Sequence, residues 1–297
     1  MRVSDQQIFG LVLANFQRIA QRTLSAQEQV SSGKRVTKPS DDPIGFGRIV
    51  SHKTSLARTE QWIRNIDAGV TRLEVADGTL GQVGSILSRI KELAVRARSD
   101  TNTAGERQLI AIEVRQLHRE LVQFANAEVD GQHLFAGTKT DVAPFALVSG
   151  DDVQYLGNDE AQTIAVGKNQ TIQVTLPGSQ VFTGSATNVF DGIRNLLLAL
   201  ESNNGGGIEA GIDDIDAAIS QVADARGQVG AFDNRLESTR TALRESVDLV
   251  KTALSQEEDI DLAEAISNLT RQQTALEAAA HSANLIFDNS LLKFLKL

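Results

Sequence analysis

The sequence has no cysteine, which removes disulfides, thiolate metal ligands and cysteine nucleophiles together. Aromatic residues make up 4%, with one Trp and one Tyr, and proline occurs four times in 297 residues. The apolar content is therefore mostly Ala, Leu, Ile and Val, which suits long helices better than packed sheets. Cations are in the minority, 29 Lys and Arg against 38 Asp and Glu, for a net charge of −9. That sign repels a polyphosphate backbone, and no basic run with interleaved aromatics offsets it, so no nucleic-acid partner is expected. No stretch approaches the ~18 apolar residues of a membrane span, so no membrane insertion is expected. The apolar run from Ile8 to Ala14 is short, and Asp5 spoils the basic start of a signal peptide, so the run reads as part of an amphipathic helix.

Motifs of chemistry are equally scarce. Ser32-Gly33-Lys34-Arg35 lacks the leading glycine, the trailing hydroxyl and the preceding strand of a phosphate loop. Gly78, Gly81 and Gly84 follow no strand and point to close helix packing, not dinucleotide binding. His52, His118, His133 and His281 have no metal-ligand spacing. Asp41-Asp42, Asp151-Asp152 and Asp213-Asp214 lack the calcium-loop pattern and read as caps or turns. The protein is expected to have no catalytic, cofactor-binding or metal site, to need no cofactor, and not to be an enzyme.

What the sequence does have is 41% hydrophobic residues set in helical stripes. Near the start, Phe9, Val12, Phe16, Ile19, Thr23, Ala26 and Val30 alternate steps of three and four, one seam of a coiled coil. Gly33 and Pro39 end that helix, and Asp42-Pro43 open another as N-cap and first helical residue. The second helix reaches about Ser99, with a stripe shift near Gly81 and Gly84. Thr103 and Glu106 form a capping box for a third helix through Ile110, Val114, Leu117, Leu121 and Phe124. From about 130 to 186 the period falls to two: the segment 171–176 reads as a strand, with 153–156 and 163–166 as its partners. Helical pattern resumes at Asn188, breaks at Gly205-Gly206-Gly207 and returns. A last helix, capped at Ser255 to Glu258, carries Leu262, Ile266, Leu269, Gln273, Leu276, Ala280, Ala283 and Phe287, then Leu291 and Phe294.

The expected fold is mainly α: a nested, antiparallel, long-helix coiled-coil bundle from both chain ends, with a small β-rich insert domain at the tip. Residues 1–40 and 257–297 make a terminal coiled-coil assembly domain, 41–129 and 187–256 an inner helical bundle, and 130–186 the insert. Charge supports the terminal pairing. Residues 1–40 hold six cations against Asp5 and Glu28, and 257–297 hold seven anions against Arg271, Lys293 and Lys296. The segments are thus +4 and −4, charges that select partners more than they stabilise. The candidate assembly interface is Phe9, Val12, Phe16, Ile19, Leu269, Leu276, Phe287, Leu291 and Phe294.

The segment Ser31-Ser32-Gly33-Lys34-Arg35-Val36-Thr37-Lys38-Pro39-Ser40-Asp41-Asp42-Pro43 resembles the corresponding stretch of the flagellin superfamily, in the form typical of its hook-associated members. The opening Met1-Arg2-Val3-Ser4, Leu269 to Ala278, and Asn289 to Leu295 are similar to that family's ends. Ile44-Gly45-Phe46-Gly47 departs from the alanine-rich continuation usual there. The resemblance implies a structural flagellar subunit, transiently cytoplasmic, shielded by a cytosolic export chaperone and secreted unfolded through the type III channel. It then polymerises with copies of itself as a ring at the hook–filament junction, between hook-associated protein 1 and flagellin. Filament flagellin itself is the alternative. In either case the seams at the two ends gain order as neighbours cover them.

Overall fold

A computed structural model describes the backbone at residues 2–99, 101–184 and 187–295, and the side chains of these except 2–6, 8, 9 and 286–295. The described elements are helices α1 (Arg2–Ser32), α2 (Pro43–Arg98) and α3 (Ala104–Ala125), then strands β1 (Glu128–Val129), β2 (Gln132–His133), β3 (Phe145–Ser149), β4 (Asp152–Tyr155), β5 (Thr163–Gly167) and β6 (Gln170–Gln173). Helices α4 (Gly178–Val181), α5 (Val189–Glu201), α6 (Gly205–Glu258) and α7 (Leu262–Leu295) follow. The fold is mainly helical with a small strand-containing region, as expected. Two compact units result, Met1–Arg58 with Ser246–Leu297, and Thr59–Glu245.

In the second unit, α2 and α6 run antiparallel, as ion pairs Lys91–Asp216 (2.5 Å), Asp77–Arg226 (2.9 Å) and Asp67–Arg240 (3.1 Å) require. Their heptad leucines and isoleucines are fully buried: Leu80, Leu87 and Ile90 on α2, Ile208, Ile215 and Leu236 on α6. Each such side chain contributes about 1.5–3 kcal/mol by leaving water. The box at Thr103 forms, with Thr103 N–H donating to Glu106 Oε2 at 2.7 Å and Glu106 N–H to Thr103 Oγ1 at 3.3 Å. One turn on, buried Arg107 donates to Ala97 O (3.0 Å), Ser99 O (3.3 Å) and Asn203 Oδ1, tying the end of α2 to the α5–α6 turn.

The strands form three separate two-stranded antiparallel hairpins. Asp130-Gly131, both at positive φ, make the two-residue turn of the first. The expected partnership of 153–156 with 171–176 is not made: β4 pairs with β3, while β6 pairs with β5 and stops at Gln173. The period-two pattern fixed which faces are buried but carried no information on partners. Phe135, Phe145, Phe182 and Phe190 gather between the hairpins and α5, with Phe145 5.2 Å from Phe182 and 5.1 Å from Phe190. Gly178 is forced there, because a β carbon would lie 2.7 Å from the Phe145 ring.

Other expectations are corrected. Gly205-Gly206-Gly207 form the first turn of α6, since Asn204 Oδ1 accepts from Gly207 N–H at 3.1 Å, so Asp213-Asp214 fall within the helix. Gly78 and Gly84 face open space and Gly81 meets only Arg226, so none serves close helix packing. Helix α6 runs through Ser255 to Glu258, and Asp261 caps α7 by accepting from Ala263 N–H (2.9 Å) and Glu264 N–H (3.2 Å).

His118 on α3 is neither a surface histidine nor a hydrogen-bonded one. It is fully buried, edge-on to Phe190, and neither ring nitrogen has a partner. Burial pushes its pKa below the ordinary 6.5, opposed by Asp151 and helped by Arg115 and Arg119. A depressed histidine pKa means that below 6.5 the unfolded protein takes up a proton the folded one refuses, so stability is lost as pH falls. His118→Phe is therefore expected to flatten the loss of urea stability between neutral pH and pH about 5; an unchanged slope would contradict the assignment.

Candidate assembly site

Helix α1 ends because Gly33 adopts a φ of 68°, its N–H still bonded to Gln29 O at 2.9 Å. The backbone then turns extended and meets the segment between α6 and α7. Arg35 N–H donates to Glu258 O at 2.7 Å and Ile260 N–H to Gly33 O at 3.1 Å, so Lys34 and Asp259 face each other in a one-rung antiparallel bridge. Val36, next along this stretch, and Ile49 of α2 are both buried.

A carboxylate organises the surroundings. Glu258, with a side chain 7% exposed, accepts at Oε1 from Lys34 Nζ and from Lys53 Nζ, each at 2.7 Å. Burial pushes the Glu258 pKa up, but hydrogen bonds from the two ammonium groups outweigh it and leave the group below its ordinary 4.5. The bond to Glu258 holds Lys34 above its ordinary 10.5. Arg35 donates to Glu257 O at 2.8 Å, and Glu257 also pairs with Arg48 at 3.4 Å. The loop between is shaped by its aspartates. Asp41 Oδ2 accepts from Thr37 N–H, Thr37 Oγ1–H and Lys38 N–H at 3.0–3.1 Å, and Asp42 caps α2 through Gly45 N–H at 2.9 Å. The charged residues of the Lys34-to-Asp42 motif thus close turns, cap a helix or meet counter-charges.

From this clamp α1 and α7 run antiparallel, packed on each other. Thr23 and Ala26 of α1 and Ala265 of α7 are buried, and Thr23 Oγ1 donates to Ile19 O at 3.0 Å and to Gln272 O at 3.4 Å. Of the candidate interface, Val12, Phe16, Ile19, Leu269 and Leu276 are half-buried. The side chains of Phe9, Phe287, Leu291 and Phe294 lie outside the described residues. Of the α7 stripe read in the sequence, Leu269, Leu276, Ala280 and Ala283 are half-buried, whereas Leu262 and Ile266 are 53% and 52% exposed and Ala265, outside that stripe, is buried. Leu24 on α1, at 65%, is exposed too. The sequence placed Glu258 in a cap for the last helix, not in a clamp, and did not single out Arg48 or Lys53; the opposite charges of the two ends were the available signal. Among the described residues no group of three or more His, Asp or Glu is placed to hold a metal ion, and no helix is long and apolar enough to cross a membrane.

Long antiparallel terminal helices seated on an ion-paired turn, with apolar side chains left facing solvent, define a helical assembly subunit. Two family models match the sequence, the bacterial flagellin N-terminal helical region over residues 3–140 and the bacterial flagellin C-terminal helical region over 212–295. The chain belongs to the bacterial flagellin family, and both halves of the clamp fall inside the matched regions. It is 25% identical over 303 residues to flagellar hook-associated protein 3 of Salmonella typhimurium, covering 94% of this chain and 95% of that one. It is 26% identical over 252 residues to flagellin FlaB1 of Treponema pallidum, with 84% of each covered. The crystal structure of FlgL from Xanthomonas campestris shares the fold at a TM-score of 0.62 and 20% identity, over 69% of this chain and 99% of that one.

Lys34 and Lys53 are both about half-exposed, so either pair alone contributes at most about 1 kcal/mol. Stranding the buried carboxylate is costlier. Lys34→Ala with Lys53→Ala is therefore expected to lower the opening free energy of α7, measured by amide exchange, by more than the two single changes summed; simple additivity would contradict a shared clamp. The Glu258 contribution is present above pH 4.5 and disappears as pH falls through its lower folded pKa.

Proposed function

We propose that this protein is a structural subunit of the bacterial flagellum, of the hook-associated protein 3 type, forming the junction between hook and flagellin filament. The observation that carries the reading is the end-to-end match to hook-associated protein 3, 94% of one chain against 95% of the other. The match to a flagellin spans 84% of each and supports filament flagellin as the second reading.

In the junction reading, the pair formed by residues 1–40 and 257–297 is the assembly domain, the inner helices a spacer, and 130–186 an insert free to vary. Hook-associated protein 1 binds on one side and flagellin on the other, and further copies of the subunit make up a ring. The apolar surface for these contacts includes Leu24, Leu262 and Ile266, which the α1–α7 pair leaves exposed. Before assembly the subunit is transiently cytoplasmic and held by an export chaperone at its C-terminal region. It leaves unfolded through the type III channel, a passage that the absence of cysteine keeps free of cross-links. The role is structural, not enzymatic.

Deleting the gene tests this directly. The junction reading expects intact hooks, no attached filament and flagellin released into the medium; hooks without released flagellin would favour the filament reading, and loss of flagellin synthesis would oppose both. At the level of the protein, Leu276→Asp or removal of residues 285–297 is expected to leave the Thr59–Glu245 unit folded by circular dichroism while abolishing filament attachment. Normal attachment by either variant would sink the assembly role of the terminal pair.

A further inference from the structure

The Arg107 clamp fixes the turn between α5 and α6, and that turn ends in Asn204-Gly205. In an Asn–Gly pair the following backbone nitrogen meets little steric hindrance on approaching the asparagine Cγ, because glycine has no Cβ. Asn204 is exposed to water. Its Oδ1 accepts from Gly207 N–H at 3.1 Å, its backbone carbonyl accepts from Ile208 N–H at 3.0 Å, and its own N–H donates to Ala199 O at 2.9 Å. The preceding Asn203 is held at a φ of 54°, with Oδ1 accepting from Arg107, which is only 7% exposed. Glycine at 205 is not required by the fold: a β carbon there meets nothing within 4 Å, and its φ is not left-handed.

We propose that Asn204-Gly205 is a self-modification site, an asparagine poised to deamidate whose reaction the α6 cap and the Arg107 clamp hold in check while the protein is folded. The Gly205 backbone nitrogen gives its proton to hydroxide and its electron pair attacks Asn204 Cγ. A new bond from that nitrogen to Cγ closes a cyclic imide, Nδ2 takes a proton from water as its bond to Cγ breaks, and ammonia leaves with the hydroxide restored. Water then opens the ring at one of its two carbonyls to give aspartate or isoaspartate. One water is consumed, one ammonia is released, and no oxidant or reductant takes part.

In the folded protein Oδ1 is turned to Gly207 N–H, two residues beyond the nucleophile, so attack requires the first turn of α6 to open. The aspartate product keeps the cap and adds a negative charge where the helix dipole favours one. The isoaspartate product inserts an extra backbone carbon and loses the cap. The residue therefore records how long this turn has been open.

The full-length protein, folded and in urea, is incubated at mildly alkaline pH, and each asparagine is followed by peptide mapping, mass spectrometry and enzymatic isoaspartate labelling. Asn204 is expected to convert ahead of the other asparagines in urea and at least about tenfold more slowly in the folded state. Arg107→Ala is expected to raise the folded rate without altering the rate in urea, and Gly205→Ala to slow the rate in urea by at least about tenfold. If Arg107→Ala unfolds the protein, Arg107→Lys supplies the comparison, because it keeps the charge without the planar donor fork. Equal rates folded and unfolded, no acceleration on loosening Arg107, or another asparagine converting first in urea overturns the proposal.

Discussion

A single carboxylate and a one-rung backbone bridge set where the two ends of this protein meet. Helices α1 and α7 reach each other from opposite ends of the sequence, and nothing local brings Thr23 near Gln272. The junction does so: Gly33 O and Glu258 O accept across it at 3.1 and 2.7 Å, and Glu258 gathers lysines from the loop and from α2. Arg35 and Glu257 are 222 residues apart in sequence. Closing so long a loop carries an entropic cost that grows only slowly with its length, so a few well-placed bonds and the buried Val36 and Ile49 can hold it. The charge separation of the two ends has its physical use there, in selecting the partner and register.

The rest of the fold follows from a composition with few alternatives. Without cysteine, and with so few aromatics and prolines, stability must come from aliphatic seams, and these demand long antiparallel helices. The second unit fills its seams internally, with Leu80, Leu87, Ile90 and Leu236 inaccessible to water. In the terminal pair Thr23, Ala26 and Ala265 are buried, Val12, Phe16, Ile19, Leu269 and Leu276 are half-buried, and Leu24, Leu262 and Ile266 stay in solvent. The second unit keeps apolar surface as well, at Leu109, Ile112, Val148 and Leu198.

Much of this was legible in the sequence. Steps of three and four marked the helices, and the cap residues Asp42 and Thr103 placed the starts of α2 and α3, because capping is local chemistry that six or seven residues specify. The failures share the opposite character. Hairpin partners and the burial of Ala265 beside an exposed Ile266 depend on what lies across space, and a heptad stripe reads the same whichever of the two is buried. The three glycines that open α6 misled because a cap at Asn204 overrides their weak helix propensity. For the site, the Gly33-to-Pro43 motif marked the loop, but its counterpart Glu258 sits within a helix and is distinguished from neighbouring acids only by its burial.

The most direct measurement is amide hydrogen exchange at Arg35 and Ile260 in the free, full-length protein. Both N–H groups lie outside any helix and bond across the junction. Both are predicted to be protected, and to lose protection together when Glu258 is replaced by Ala. Exchange of the two amides at the rate of an unstructured peptide in the unaltered protein would contradict a clamp that sets where the ends meet.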